Sequence, residues 1–91
     1  MSQEAFSISW SASAQRDLTK LPEKVATAVV EFIYGGLAEN PRRVGHELTL
    51  ELAGLHSARR GDFRVLYRIN EDQDVVTIVN IDHRADVYRR R

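Results

Sequence analysis

The chain has 91 residues, 43% apolar and 29% charged, with 13 Lys and Arg against 13 Asp and Glu. That profile fits one domain over residues 1–91 and excludes a disordered tail or a fibrous repeat. Zero net charge argues against a simple basic nucleic-acid binder, and the absence of cysteine excludes disulfides and thiolate metal sites.

Ala5 to Trp10 alternates apolar and polar, which predicts a strand with Phe6, Ile8 and Trp10 on one face. Ser11 or Ser13 can cap a helix whose stripe is Ala14, Leu18 and Leu21. Pro22 ends that helix or opens the next. Val25, Val29, Phe32, Ile33 and Leu37 suit one face of a second helix over Glu23–Glu39, weakened at Gly35-Gly36. Asn40-Pro41 closes it. Leu48, Leu50 and Leu52 alternate and predict a short strand or an ordered loop. Gly61-Asp62 is a turn signal. Phe63 to Ile69 is a strand with Phe63, Val65, Tyr67 and Ile69 on one face and Arg64, Leu66 and Arg68 on the other. After the polar loop Asn70–Gln73, Asp74–Ile81 is apolar on both faces and so central. The order predicts an α+β fold, two N-terminal helices packed on one face of an antiparallel sheet, with the other face available for a ligand.

The charges are unevenly placed. Residues 1–40 hold three cations against five carboxylates, and residues 42–68 hold six arginines against three. Residues 83–91 hold Arg84, Arg89, Arg90 and Arg91 against Asp86. Eleven of the 13 cations are arginine, whose planar fork grips phosphate in two bonds. His46, His56 and His83 lie in the same half. This set suits phosphodiester chemistry, arginines stabilising charge and His or Tyr moving protons. No metal-ligand spacing or Gly-rich phosphate loop is present, so no metal and no cofactor are expected. The opening residues lack the regions of a signal peptide, and no apolar run approaches the roughly 20 residues of a membrane span. The expected setting is cytoplasmic, with no membrane partner.

Three stretches together resemble the RelE family of the RelE/ParE toxin–antitoxin superfamily: Arg16-Asp-Leu-Thr-Lys-Leu21, Leu52-Ala-Gly-Leu55 through Arg59-Arg-Gly-Asp-Phe-Arg-Val-Leu-Tyr67, and His83-Arg-Ala-Asp-Val-Tyr88. The resemblance implies a twisted RelE-like sheet and a toxin that cuts mRNA in the ribosomal A site without a metal, by attack of the ribose 2′-OH on the neighbouring phosphate. It implies a RelB-like antitoxin as partner, with operator DNA bound only through the toxin–antitoxin complex. Arg64 matches the strand arginine that holds the scissile phosphate. Tyr88 matches the near-terminal aromatic, Arg84 a recurrent tail arginine, and His83 the segment where relatives carry a titratable group. Where the founding RelE toxin has two strand lysines, this chain has Leu55 and Ser57, leaving His56 and Arg59 as the nearby substitutes. The candidate catalytic set is therefore Arg64, His83, Arg84, Tyr88 and His56, with Arg59, Arg60 and Arg68 as RNA-binding residues. A ParE-like gyrase inhibitor that cuts nothing, or a degenerate member that binds only its antitoxin, are the alternatives.

Overall fold

The computed structural model describes residues 5–49 and 52–83. Strand β1 is Ser7–Trp10 and helix α1 is Ala12–Thr19. Ser11 caps α1, its Oγ accepting the Ala14 N–H at 3.0 Å, which satisfies one of the free donors of the first turn. Helix α2, Glu23–Phe32, starts directly after Pro22. At Gly35-Gly36 the predicted helix changes character: Ile33–Leu37 is a π-helical turn. Two consecutive glycines are each about 1 kcal/mol poorer than Ala in a helix, so packing of Ile33 and Leu37 decides the local geometry. Both are fully buried.

Pro41–Val44 forms a one-turn helix, α3, with proline in its first turn. Helical patterning in the sequence stops short of it, at Asn40-Pro41. Strand β2 is only His46–Glu47 and ends before the leucine alternation, whose Leu48 and Leu52 lie in no strand. Of those leucines, Leu50 lies outside the described residues and Leu52 is exposed. Strands β3 (His56–Arg60), β4 (Phe63–Asn70) and β5 (Val75–His83) form the body of the sheet. Gly61 takes the left-handed conformation that its turn needs, at φ 58°.

The sheet order is β1-β5-β4-β3-β2. It is antiparallel except at one edge, where β1 runs parallel to β5. The predicted antiparallel sheet holds for every pair but this one, in which the helices and three further strands separate β1 from β5 along the chain. β5 lies between β1 and β4, the interior position that its sequence predicts, with Val76, Ile78 and Ile81 on the buried face.

The core lies between helices and sheet. Val29, Phe32, Ile33 and Leu37 meet Ala58, Phe63, Val65, Tyr67, Val76, Ile78 and Ile81. Tyr67 is fully buried and donates its hydroxyl to the Pro41 carbonyl at 2.6 Å, tying β4 to α3. A Cβ on Gly45 would collide with that hydroxyl oxygen and with the Ser57 carbonyl, so only glycine lets this loop pass. Among the described residues no helix is long and apolar enough to cross a membrane.

One irregularity decides which β5 side chains stand beside the arginines of β4. From Asn70↔Val75 to Tyr67↔Ile78 the β4–β5 register is regular, but Leu66 pairs with Asn80. Val79 is the extra residue, a β-bulge. Past the end of β1, α1 covers this stretch of the β5 edge. Ser11 Oγ donates to the Val79 carbonyl at 2.8 Å, and the Ile81 N–H donates to Asp17 Oδ2 at 2.9 Å. Asn80 Nδ2 adds a 3.3 Å bond to the same oxygen.

Candidate phosphate-binding face

Successive side chains of a strand point to opposite faces, so register sorts the candidate residues. On the face away from the helices, Arg59 of β3 stands directly opposite Arg64 of β4, and Arg64 stands opposite Asp82 of β5. All three are exposed. Arg68 lies on the same face, about 13 Å further along β4 at strand spacing. The predicted alternation of β4 holds throughout: Phe63, Val65 and Tyr67 are buried, while Arg64 and Arg68 are exposed.

Like charges directly across a strand pair destabilise a sheet by a few tenths of a kcal/mol to about 1 kcal/mol. Among the described residues, Arg42 with Glu71 is the one ion pair; Arg59, Arg64 and Asp82 make none. Arg59 and Arg64 are therefore two guanidiniums side by side with no ion pair among the described residues, and Asp82 is the one carboxylate in register beside them. A phosphate placed between them would accept both forks and remove the repulsion.

The other candidates lie on the helix face. His56 pairs with Tyr67, and the rings stack with centroids 5.5 Å apart. His56 is buried, and its Nδ1 has no hydrogen-bond partner among the described residues. Burial holds its pKa below the usual imidazole value; Glu47 opposes this, and Arg42 and His46 add to it. The Tyr67 hydroxyl is pushed up to about 12 by burial, so it is a neutral core donor. Arg60 places its guanidinium 5.0 Å from the Phe32 ring centre. His83 pairs with Phe63 and is 9% exposed. It lines a cleft of about 330 Å³ bounded by Lys24, Val25 and Ala28 of α2 and by the Gly61-Asp62 turn.

The structure thus brings Arg59, Arg64 and Arg68 to one face and places His56, Arg60 and His83 on the other. Arg84 and Tyr88 lie outside the described residues. Asp82 is the neighbour that the sequence pattern does not single out. The regular hairpin register would set Ile81 opposite Arg64, and the bulge at Val79 moves Asp82 there. Among the described residues no three His, Asp or Glu side chains converge as metal ligands.

The family model of the ParE toxin of type II toxin–antitoxin systems, parDE, matches residues 8–88. The chain belongs to this toxin family. The RelE resemblance is borne out within it. Toxin RelG of Mycobacterium tuberculosis is 51% identical over 85 residues, 93% of this chain and 98% of that protein. Toxin RelE of the same organism is 49% identical over 84 residues, covering 92% and 87%. The crystal structure of the M. tuberculosis toxin–antitoxin complex RelBE2 matches with 47% identity and a TM-score of 0.87, covering 89% of this chain and all of that one. This RelE-type toxin has the α+β fold that its sequence predicts.

Proposed function

We propose that this toxin is an mRNA endoribonuclease whose open sheet face holds the scissile phosphate between Arg59 and Arg64. The observation that carries the reading is that cross-strand arginine pair, exposed on the face opposite the core and in no ion pair among the described residues. The two guanidiniums bind the phosphodiester and stabilise the extra charge of the pentacoordinate transition state. Arg68 holds a neighbouring phosphate. The nucleophile is the ribose 2′-OH, so the chemistry calls for charge stabilisation and proton transfer and needs no metal. Arg84 and Tyr88 take the roles that the RelE resemblance gives them, a further cation and an aromatic against the base. The substrate is mRNA in the ribosomal A site, and the neutralising partner is a RelB-like antitoxin. Similarity to a toxin crystallised in a RelBE2 complex supports that partner.

The test is Arg64→Ala. Expressed without antitoxin, the wild type produces codon-phased cuts by primer extension on mRNA from translating ribosomes, and it arrests growth. The variant keeps the wild-type circular dichroism and loses both effects. Normal cutting by the variant would overturn the site. Gyrase inhibition without cuts by the wild type would establish the ParE-like alternative, and absence of any toxicity the degenerate one.

A further inference from the structure

We propose that Asp82 is the general base that takes the proton from the attacking 2′-OH, an inference that rests on the nuclease reading of the open face. A base must reach the proton it removes, so it has to share the face on which the phosphate is held. Of the two candidate histidines, His56 is stacked in the core on Tyr67, and His83 faces Phe63 beneath α2. Arginine keeps its proton and cannot serve. Asp62, in the turn, lines the helix-side cleft. His46 shares the open face but sits on β2 opposite Ser57, two strands from β4, so Asp82 alone among the described carboxylates and imidazoles stands in register beside Arg64.

Directly opposed residues of an antiparallel pair have Cβ atoms about 4.5–5.5 Å apart. The arginine side chains are long enough to lean across the sheet and hold a phosphate over that row. The ribose oxygen next to this phosphate then lies within reach of the short Asp82 carboxylate. Asp82 is exposed and makes no ion pair among the described residues, so its oxygens are available to accept.

The step balances as an internal transesterification. The Asp82 carboxylate accepts the 2′ proton as the 2′-oxygen bonds to phosphorus. The P–O5′ bond breaks, and the departing 5′-oxygen takes a proton from water. The products are a 2′,3′-cyclic phosphate and a 5′-OH. Asp82 then releases its proton to solvent. The bulge at Val79 is what makes this possible. Without the extra residue, the β5 face presented beside Arg64 would carry Ile81 and His83, and Asp82 would point at the helices.

The experiment is single-turnover cleavage of an mRNA on A-site-programmed ribosomes across a pH series. The proteins are the wild type, Asp82→Asn, Asp82→Glu and Arg64→Ala. Asp82→Asn should lose about 100-fold or more in cleavage rate, the usual contribution of a positioned base. Its ribosome affinity should stay within threefold, and the acid limb of its pH–rate profile should vanish. Asp82→Glu should restore most of the rate and the limb. If Asp82→Asn cuts like the wild type while Arg64→Ala is inactive, the base assignment falls and the nuclease reading stands. If Asp82→Asn instead binds more tightly and cuts faster, Asp82 merely repels substrate and the assignment again falls. If the wild type cuts nothing, both fall.

Discussion

The two faces of the central sheet are built from the same strands yet do different work. On one face His56, Tyr67, Phe63 and His83 are packed against helices or against one another. On the other, Arg59, Arg64, Arg68 and Asp82 stand in solvent without ion pairs among the described residues. Residue type does not separate the faces: each has arginine, and each has titratable groups. Strand parity and one bulge separate them, so chemistry here is assigned by position.

That contrast can be broken by substitution. The largest stability effect belongs to the packed face. Tyr67→Ala removes a fully buried ring and the hydroxyl that donates to Pro41, and should cost about 3–5 kcal/mol in urea unfolding. Arg64→Ala, on the open face, should change stability by less than about 0.5 kcal/mol, because the Arg59 repulsion it relieves is offset by the Asp82 attraction it loses. A large loss of stability in Arg64→Ala would show that the open face is structural.

Next in size is the edge that α1 covers. Asp17→Ala leaves the Ile81 N–H without its acceptor and should cost about 1–3 kcal/mol. Asp17 is also the residue that accepts from Asn80 beside the bulge. Amide exchange at Ile81 should therefore rise in this variant more than at Val65, its partner on β4.

A smaller effect is acid sensitivity. Burial sets the folded pKa of His56 below its unfolded value, near 6.5. As pH falls the unfolded chain takes up the proton first, so stability is full above the unfolded pKa and declines below it towards the folded one. Thermal melts from pH 7.5 to 5.5 should show this decline, and His56→Phe, which keeps the stack on Tyr67, should flatten it. The smallest effect is at the exposed Arg42–Glu71 pair, whose removal should leave the melting temperature unchanged within error.

Much of this is legible in the sequence because the period-2 signal of β4 is clean. Phe63, Val65 and Tyr67 announce a buried face, and Arg64 must then oppose it. The apolar positions of α2 are equally plain, and the pattern narrows the cap of α1 to Ser11 or Ser13, of which the structure uses Ser11. The one-turn helix after Asn40 is hidden by a proline that reads equally as a stop or a start. Parallel pairing of β1 depends on where the chain returns after the helices, which local patterning does not encode. The division of His83 from Asp82 is the least legible feature. Counting back from the hairpin puts His83 on the side of Arg64, and only the extra residue at Val79 reverses the two. Nothing local marks Val79 as bulged. The cause is tertiary, in the Ser11 and Asp17 side chains that take up the hydrogen bonds of this stretch.

Arg59 and Arg60 offer the most direct test, being identical residues adjacent on β3 and assigned to opposite faces. The measurement is the mRNA cleavage rate of Arg59→Ala against Arg60→Ala, on programmed ribosomes at equal folded fraction. Arg59→Ala should lose about 100-fold, as removal of a transition-state donor does, and Arg60→Ala far less. An equal loss in both, or a greater loss for Arg60→Ala, would contradict the assignment of the open face as the phosphate-binding surface.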